Sequence, residues 1–221
     1  MFITLEGIEG AGKTSRIKGM REYLEEKGRP CIVTREPGGT KIGHKIREIL
    51  LDPANAHLSF AAELLLYAAD RAQHVNEIIR PAIEDGKTVI CDRFIDSTLV
   101  YQGVARKLDP GLVDTINKAA TGGLLPDITF LLDLPPETGL SRAWREIDTG
   151  GRDASESRFE EETLSFHRKV REGYLDLAKK EPERFAVVDA SDNPENVEIA
   201  IIKRLEIFMR DAALVEMRTE D

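Results

Sequence analysis

The chain has 221 residues, 41% of them hydrophobic and 32% charged, which suits one α/β domain over residues 1–221 with a buried core and needs no second domain. A formal net charge of −9 and a pI near 5.1 exclude a general nucleic-acid binder, because no basic face is on offer to displace counterions from a phosphate backbone. No apolar run approaches membrane-spanning length, and no charged n-region with a long apolar h-region opens the chain. The expectation is a cytoplasmic protein with no membrane partner.

In chain order, Phe2-Ile3-Thr4-Leu5 reads as a buried strand and residues 15–27 as a helix carrying Ile17, Met20 and Leu24 on one side. Between them Gly7-Ile8-Glu9-Gly10-Ala11-Gly12-Lys13-Thr14 is a full G-x-x-x-x-G-K-[ST] loop in the strand–loop–helix setting it requires. Its glycines let successive N–H groups curl around an anion, and the helix that follows adds its positive end. Lys13 is suited to reach the outer phosphates of a nucleoside triphosphate, and the Thr14 hydroxyl to ligate a magnesium ion bridging them.

Cys31-Ile32-Val33-Thr34 makes a second strand, ending in the tight turn Arg35-Glu36-Pro37-Gly38-Gly39-Thr40 at the sheet edge where α/β proteins bind ligands. A short helix over 43–51 stops at Asp52-Pro53, and a longer one covers 59–85. Tyr67 and Arg71, four residues apart, share a face of it. They pair an aromatic plate with a guanidinium for a heterocyclic base, or else are a core tyrosine and a surface arginine. Thr88–Asp92 is a third strand, apolar until Asp92, with the Walker-B shape that positions magnesium; Arg93 follows at once. Cys31 and Cys91 both read as buried free thiols.

Ser97-Thr98-Leu99-Val100-Tyr101-Gln102-Gly103 begins another helix, and 110–120 is helical up to Thr121-Gly122-Gly123. A fourth strand over 128–132 leads to Asp133, and Pro135-Pro136 launches a helix bearing Arg142 and Arg145. The polar, glycine-bearing stretch at about 147–158 reads as a lid, after which a helix resumes near Arg158 or Phe159 and runs over 160–180 with Leu164, Val170 and Leu175 inward. Phe185–Asp189 is a fifth strand and 194–209 a closing helix. Strands alternating with helices imply a parallel sheet with right-handed crossovers.

A GTPase would need N-K-x-D to read guanine, and Asn117-Lys118-Ala119-Ala120 lacks the aspartate; Asp148-Thr149-Gly150-Gly151 resembles D-x-x-G only inside the lid. A nucleotide kinase explains more. Its acceptor is an ionised phosphate, so no base has to remove a proton, and alignment with charge neutralisation carries the reaction. His44, His57, His74 and His167 show no metal-like spacing, whereas Arg152 and Arg158, with Arg142 and Arg145 nearby, are placed to bring positive charge and exclude water.

The phosphate loop, Thr34-Arg35-Glu36-Pro37-Gly38-Gly39, Tyr67-Ala68-Ala69-Asp70-Arg71-Ala72-Gln73-His74 and Asp92-Arg93-Phe94 with Ser97-Thr98 and Tyr101-Gln102-Gly103 together resemble bacterial thymidylate kinases from about residue 2 to residue 209. The resemblance implies a P-loop nucleoside monophosphate kinase fold, a five-stranded parallel sheet flanked by helices with a mobile lid. It also implies transfer of the ATP γ-phosphoryl group to dTMP with Mg2+, in dTTP biosynthesis, by a homodimer. By the same resemblance Tyr67 stacks on thymine, Arg71 meets the base edge and Arg93 holds the dTMP phosphate with Arg35 in support. Tyr101 crowds the 2′ position, Glu9 stands near the 3′-hydroxyl, and Pro37, Ser97, Thr98 and Gln102 complete the dTMP set, with Glu36-Pro37 a cis peptide.

This chain carries Tyr67 where some members have phenylalanine, and Thr98 where others have asparagine. Its phosphate loop has no arginine among Ile8, Glu9, Gly10 and Ala11, so it resembles the branch whose catalytic arginines come from the lid, here Arg152 and Arg158 beside Lys13 and Arg93. Competing readings are another small-molecule P-loop kinase, acting on a deoxynucleoside or a different monophosphate, and a nucleotide-dependent switch protein.

Overall fold

The structure is a computed structural model that describes residues 1–151 and 153–219, with side chains described through residue 211. Among these residues five strands, β1 (Phe2–Glu6), β2 (Cys31–Arg35), β3 (Thr88–Asp92), β4 (Ile128–Asp133) and β5 (Phe185–Asp189), form one sheet in the order β2-β3-β1-β4-β5. Every pairing is parallel, with Leu5 opposite Asp92 on one side and Phe130 on the other. β1 is therefore central and wholly buried, which is why Phe2-Ile3-Thr4-Leu5 reads as a nearly continuous apolar run. Strand alternation divides the core. Phe2, Val89 and Cys91 face one layer with Phe94, Val75 and Ile79, while Ile3, Leu5 and Ile90 face the larger layer with Met20 and Leu24.

The helices are α1 (Lys13–Glu26), α2 (Lys41–Leu51), α3 (Phe60–His74), α4 (Arg80–Glu84), α5 (Ile95–Thr98), α6 (Pro110–Thr121), α7 (Pro136–Asp148), α8 (Leu164–Lys180) and α9 (Pro194–Thr219). α1 packs on β2, β3 and α9, and α8 on β4 and β5. No helix among the described residues is long and apolar enough to cross a membrane.

Three expectations change. The single helix over 59–85 is α3 and α4 joined through a π-helical turn, Val75–Ile79, directly before Pro81. Proline has no N–H to donate and its ring crowds the carbonyl four residues earlier, and a wider turn relieves both. The helix expected near Arg158 begins only at Leu164, where the Thr163 side chain accepts from the Phe166 N–H at 3.2 Å. Its buried face is Phe166, His167, Val170, Tyr174 and Ala178, with Leu164 and Leu175 only half-buried. Cys31 is likewise half-buried, because β2 is an edge strand, while Cys91 lies in the core.

Candidate active site

β1 ends at Glu6 and the chain turns through the phosphate loop into α1, with Gly12 left-handed at the helix start. Gly10 also has positive φ, and a Cβ there would stand 2.0 Å from the Gly139 carbonyl oxygen, so the loop lies directly against α7. The loop from Glu9 to Thr14 lines a cleft of about 1360 Å³ together with Arg35, Asp92 and Arg93. Gly7 and Ile8 contribute differently, their carbonyls each accepting from Lys13 Nζ at 3.1 Å. Burial, then the neighbouring Arg93, lowers the Lys13 ammonium to about 8.

A second cleft of about 570 Å³, open to solvent, adjoins the first. Nine of the ten residues expected to meet dTMP line it: Glu9, Pro37, Tyr67, Arg71, Arg93, Ser97, Thr98, Tyr101 and Gln102. Arg35 lines the phosphate cleft instead, and Glu9 and Arg93 border both.

Arg71 is not the surface arginine that its spacing allowed. It is 1% exposed at the floor of the second cleft. Nε donates to Glu36 Oε2 at 2.8 Å, Nη1 to Thr98 Oγ1 at 2.9 Å and Asn117 Oδ1 at 2.7 Å, and Nη2 to the Phe94 carbonyl at 3.0 Å. These bonds take four of a guanidinium's five N–H donors. Glu36 is held in turn by His74 Nδ1 at 2.9 Å, and His74 Nε2 lies 2.6 Å from Thr34 Oγ1. The Glu36–Pro37 bond is cis.

Arg93 follows β3 with φ 69°, a left-handed conformation that side chains other than glycine rarely adopt. Its Nη2 donates to Glu9 Oε1 at 3.0 Å, and Nη1 to Ser97 Oγ at 3.2 Å and Tyr174 Oη at 3.3 Å. Tyr101 donates its hydroxyl to the same Glu9 oxygen at 2.6 Å, and its ring lies beneath the Arg93 guanidinium at 5.1 Å. His167 Nδ1 is 3.2 Å from Glu9 Oε2, close enough for charge attraction although not aligned as a hydrogen bond. Burial raises the Glu9 carboxyl, but His167, Arg93 and Lys13 outweigh it and hold the group well below the usual carboxylate range.

The Ser97 hydroxyl, expected to face dTMP, donates to Glu6 Oε2 at 2.7 Å and lies 2.8 Å from Tyr174 Oη. Gln102 points its amide nitrogen at Glu63 Oε1, 2.8 Å away. Arg158, expected at the transferring phosphate, lines neither cleft. It is buried, with Nε donating to the Leu50 carbonyl and Nη1 2.8 Å from Glu63 Oε2, and its guanidinium lies over the Phe159 ring at 4.5 Å. Arg152 lies outside the described residues. Arg142 Nη1 donates to the Ala190 carbonyl at 3.2 Å, and Arg145 is exposed.

Sequence reading missed Arg47, Glu156, Phe159, Asn117, Glu6 and Tyr174 as members of this region. Arg47 forms a bidentate pair with Glu156, both distances 2.7 Å, and donates to the Pro37 carbonyl at 2.9 Å, so it ties α2 to the lid and borders both clefts. No signal in the sequence set Glu156 apart from the lid's other acidic residues, Asp148 and Asp153. For magnesium, Asp92 Oδ1 is buried without a hydrogen-bond partner among the described residues, in the cleft that Thr14 also lines. That suits a hard cation held by one or two protein oxygens plus phosphate and water. No group of three or more His, Cys, Asp or Glu side chains with metal-binding geometry occurs among the described residues.

Residues 5–201 match the family model described as thymidylate kinase. A thymidylate kinase of Desulfosudis oleivorans is 58% identical over 206 residues, 93% of this chain and 96% of that one. Another, from Desulfovibrio desulfuricans, is 51% identical over 210 residues, 95% and 97% of the two chains. The crystal structure of thymidylate kinase from Ehrlichia chaffeensis superposes with a TM-score of 0.73 at 35% identity, covering 93% of this chain and 98% of that one.

Proposed function

The chain belongs to the thymidylate kinase family and is a dTMP kinase; we propose that it moves the γ-phosphoryl group of ATP to dTMP with Mg2+, using the two joined clefts as donor and acceptor sites. The observation that carries this division is the shared border. Glu9 and Arg93 belong to both clefts, so the transferring group passes where a phosphate-directed arginine already stands.

In the donor cleft the loop N–H groups and Lys13 hold the ATP phosphates. Thr14 and Asp92 would hold Mg2+, which neutralises charge on the β- and γ-phosphates. In the acceptor cleft Tyr67 stacks on the thymine ring, and Arg71 offers only donors to the base edge. That selects the O4 acceptor of thymine over the amino group of cytosine. Arg93 holds the acceptor phosphate, with Arg35 approaching from the donor side. Tyr101, fixed on Glu9, stands against the sugar. Arg152 is the lid arginine retained for the transferring phosphate. Arg158 reaches it only by leaving Glu63.

We also propose a cytoplasmic homodimer. The exposed apolar side chains Phe60 and Leu65 of α3 and Leu112 of α6, 46%, 58% and 46% accessible, support an interface between copies. The test of function is coupled ADP formation with ATP, Mg2+ and each of dTMP, dUMP, dCMP, dGMP, dAMP and thymidine, with products separated by chromatography. Preferential conversion of dTMP to dTDP is expected. Equal turnover of dCMP would refute the role given to Arg71, and phosphorylation of thymidine alone would move the chain to nucleoside kinases.

A further inference from the structure

Beside Arg93 lies a buried polar cluster of Glu6, Ser97 and Tyr174, of which only Ser97 lines either cleft. Glu6, the last residue of β1, is fully buried. Its Oε1 accepts from the Phe94 N–H at 2.8 Å and the Ser97 N–H at 3.3 Å, and its Oε2 from Ser97 Oγ at 2.7 Å and Tyr174 Oη at 2.6 Å. Tyr174 comes from α8, 168 residues further along the chain, and is 1% exposed. Burial, then Asp96, raises the Glu6 carboxyl to about 7, so these donors offset a strongly desolvated group.

The same two hydroxyls that contact Glu6 receive Arg93 Nη1, Ser97 Oγ at 3.2 Å and Tyr174 Oη at 3.3 Å. Glu9 takes Nη2 from the other side. Among the described residues no hydrogen bond uses Nε of Arg93. A guanidinium pinned at Nη1 keeps its Nε–H and one Nη2–H for a planar, two-oxygen anion, the fork that matches a phosphate. A tyrosine whose hydroxyl is itself fixed by a buried carboxylate is a stiff stop for such a group. It also ties the helix that follows the lid to the arginine between the clefts.

We propose that Tyr174, fixed by Glu6, is a positioning residue for the acceptor phosphate: it sets the guanidinium of Arg93 so that its free edge meets dTMP. This rests on Arg93 being the ligand of that phosphate, and the test separates the two claims. Thymidine carries the base and sugar of dTMP without the phosphate. Calorimetric titration of both ligands into wild type, Tyr174→Phe and Arg93→Lys therefore isolates the phosphate contribution.

Tyr174→Phe keeps the ring and its edge contact with Tyr101, centroids 6.3 Å apart, and leaves Ser97 on Glu6. The expected result is that it weakens dTMP about tenfold, a change of about 1.4 kcal/mol, while thymidine affinity and the KM for ATP stay within twofold. Arg93→Lys should weaken dTMP at least as much and spare thymidine. A second variant, Glu6→Gln, should reproduce the dTMP-selective loss, because its one acceptor oxygen has to stay on the fixed Phe94 and Ser97 N–H groups, which leaves an NH2 donor facing the two hydroxyls that now donate to Oε2.

If Arg93→Lys weakens dTMP selectively and Tyr174→Phe does not, the positioning role is overturned and the arginine's role stands. If Tyr174→Phe weakens both ligands alike, its role is structural and the proposal is again overturned. If Arg93→Lys spares dTMP, the assignment beneath it fails.

Discussion

Replacing Arg71 by methionine tests the buried pair at the floor of the acceptor cleft. The side chain is 1% exposed and its partner Glu36 2% exposed, so truncation leaves a desolvated carboxylate without its guanidinium. Breaking such a pair from one side costs about 3–5 kcal/mol. His74 Nδ1 remains 2.9 Å from the other Glu36 oxygen and supplies a partner, which puts the cost at the lower end, about 3 kcal/mol. For a domain of this length that lowers Tm by roughly 6–12 °C. Urea unfolding of wild type, Arg71→Met, Glu36→Gln and the double variant at pH 7.5 measures it as a cycle. The double variant should recover more than half the loss, since it removes the uncompensated charge along with the arginine. A loss below about 1 kcal/mol in Arg71→Met, or equal losses in the single and double variants, would refute the account of Arg71 as half of a buried pair.

The lowered Lys13 ammonium has a kinetic consequence. Its charge is complete well below pH 8 and is lost as pH rises through that value, so kcat/KM for ATP, which reports the free enzyme, should bend downward above about pH 8. A profile flat to pH 9.5 would contradict it, and Lys13→Ala should lower turnover about 100-fold or more at pH 7, where the ammonium is intact. Asp92→Asn keeps the shape of the phosphate cleft but removes a carboxylate charge. The Mg2+ concentration for half-maximal activity should rise severalfold while dTMP affinity measured without metal is unchanged, and an unaltered Mg2+ titration would remove Asp92 from the metal site.

Much of this molecule is local in the chain and so legible there. The phosphate loop is contiguous, each of the five strands is an apolar run, and the right-handed crossover rule leaves few ways to join them. The resemblance to thymidylate kinases also brought Tyr67, Arg71, Arg93 and Tyr101 together before any geometry did. What stayed hidden depends on contacts distant in sequence. Tyr174 reads as one aromatic on an amphipathic helix, yet its hydroxyl meets Glu6, 168 residues earlier. Asn117 was weighed only as part of a guanine-reading motif, whereas its carbonyl oxygen accepts from Arg71 beside Thr98. Arg158 was assigned by the lid's composition and by resemblance to the branch with lid arginines, which say where an arginine sits along the lid but not which carboxylate it pairs with.

Arg93 sets the needs of the backbone against those of the ligand. A glycine would occupy φ 69° without the Cβ crowding that costs an L-residue about 1 kcal/mol. Glycine here would nonetheless leave Glu9, 6% exposed, without its Arg93 partner at 3.0 Å, and removing one partner of such a pair costs about 3–5 kcal/mol, so the guanidinium between the two clefts outweighs the strain of its own backbone. Stability and ligand binding therefore draw on the same side chain at position 93, and a screen for either one keeps the arginine.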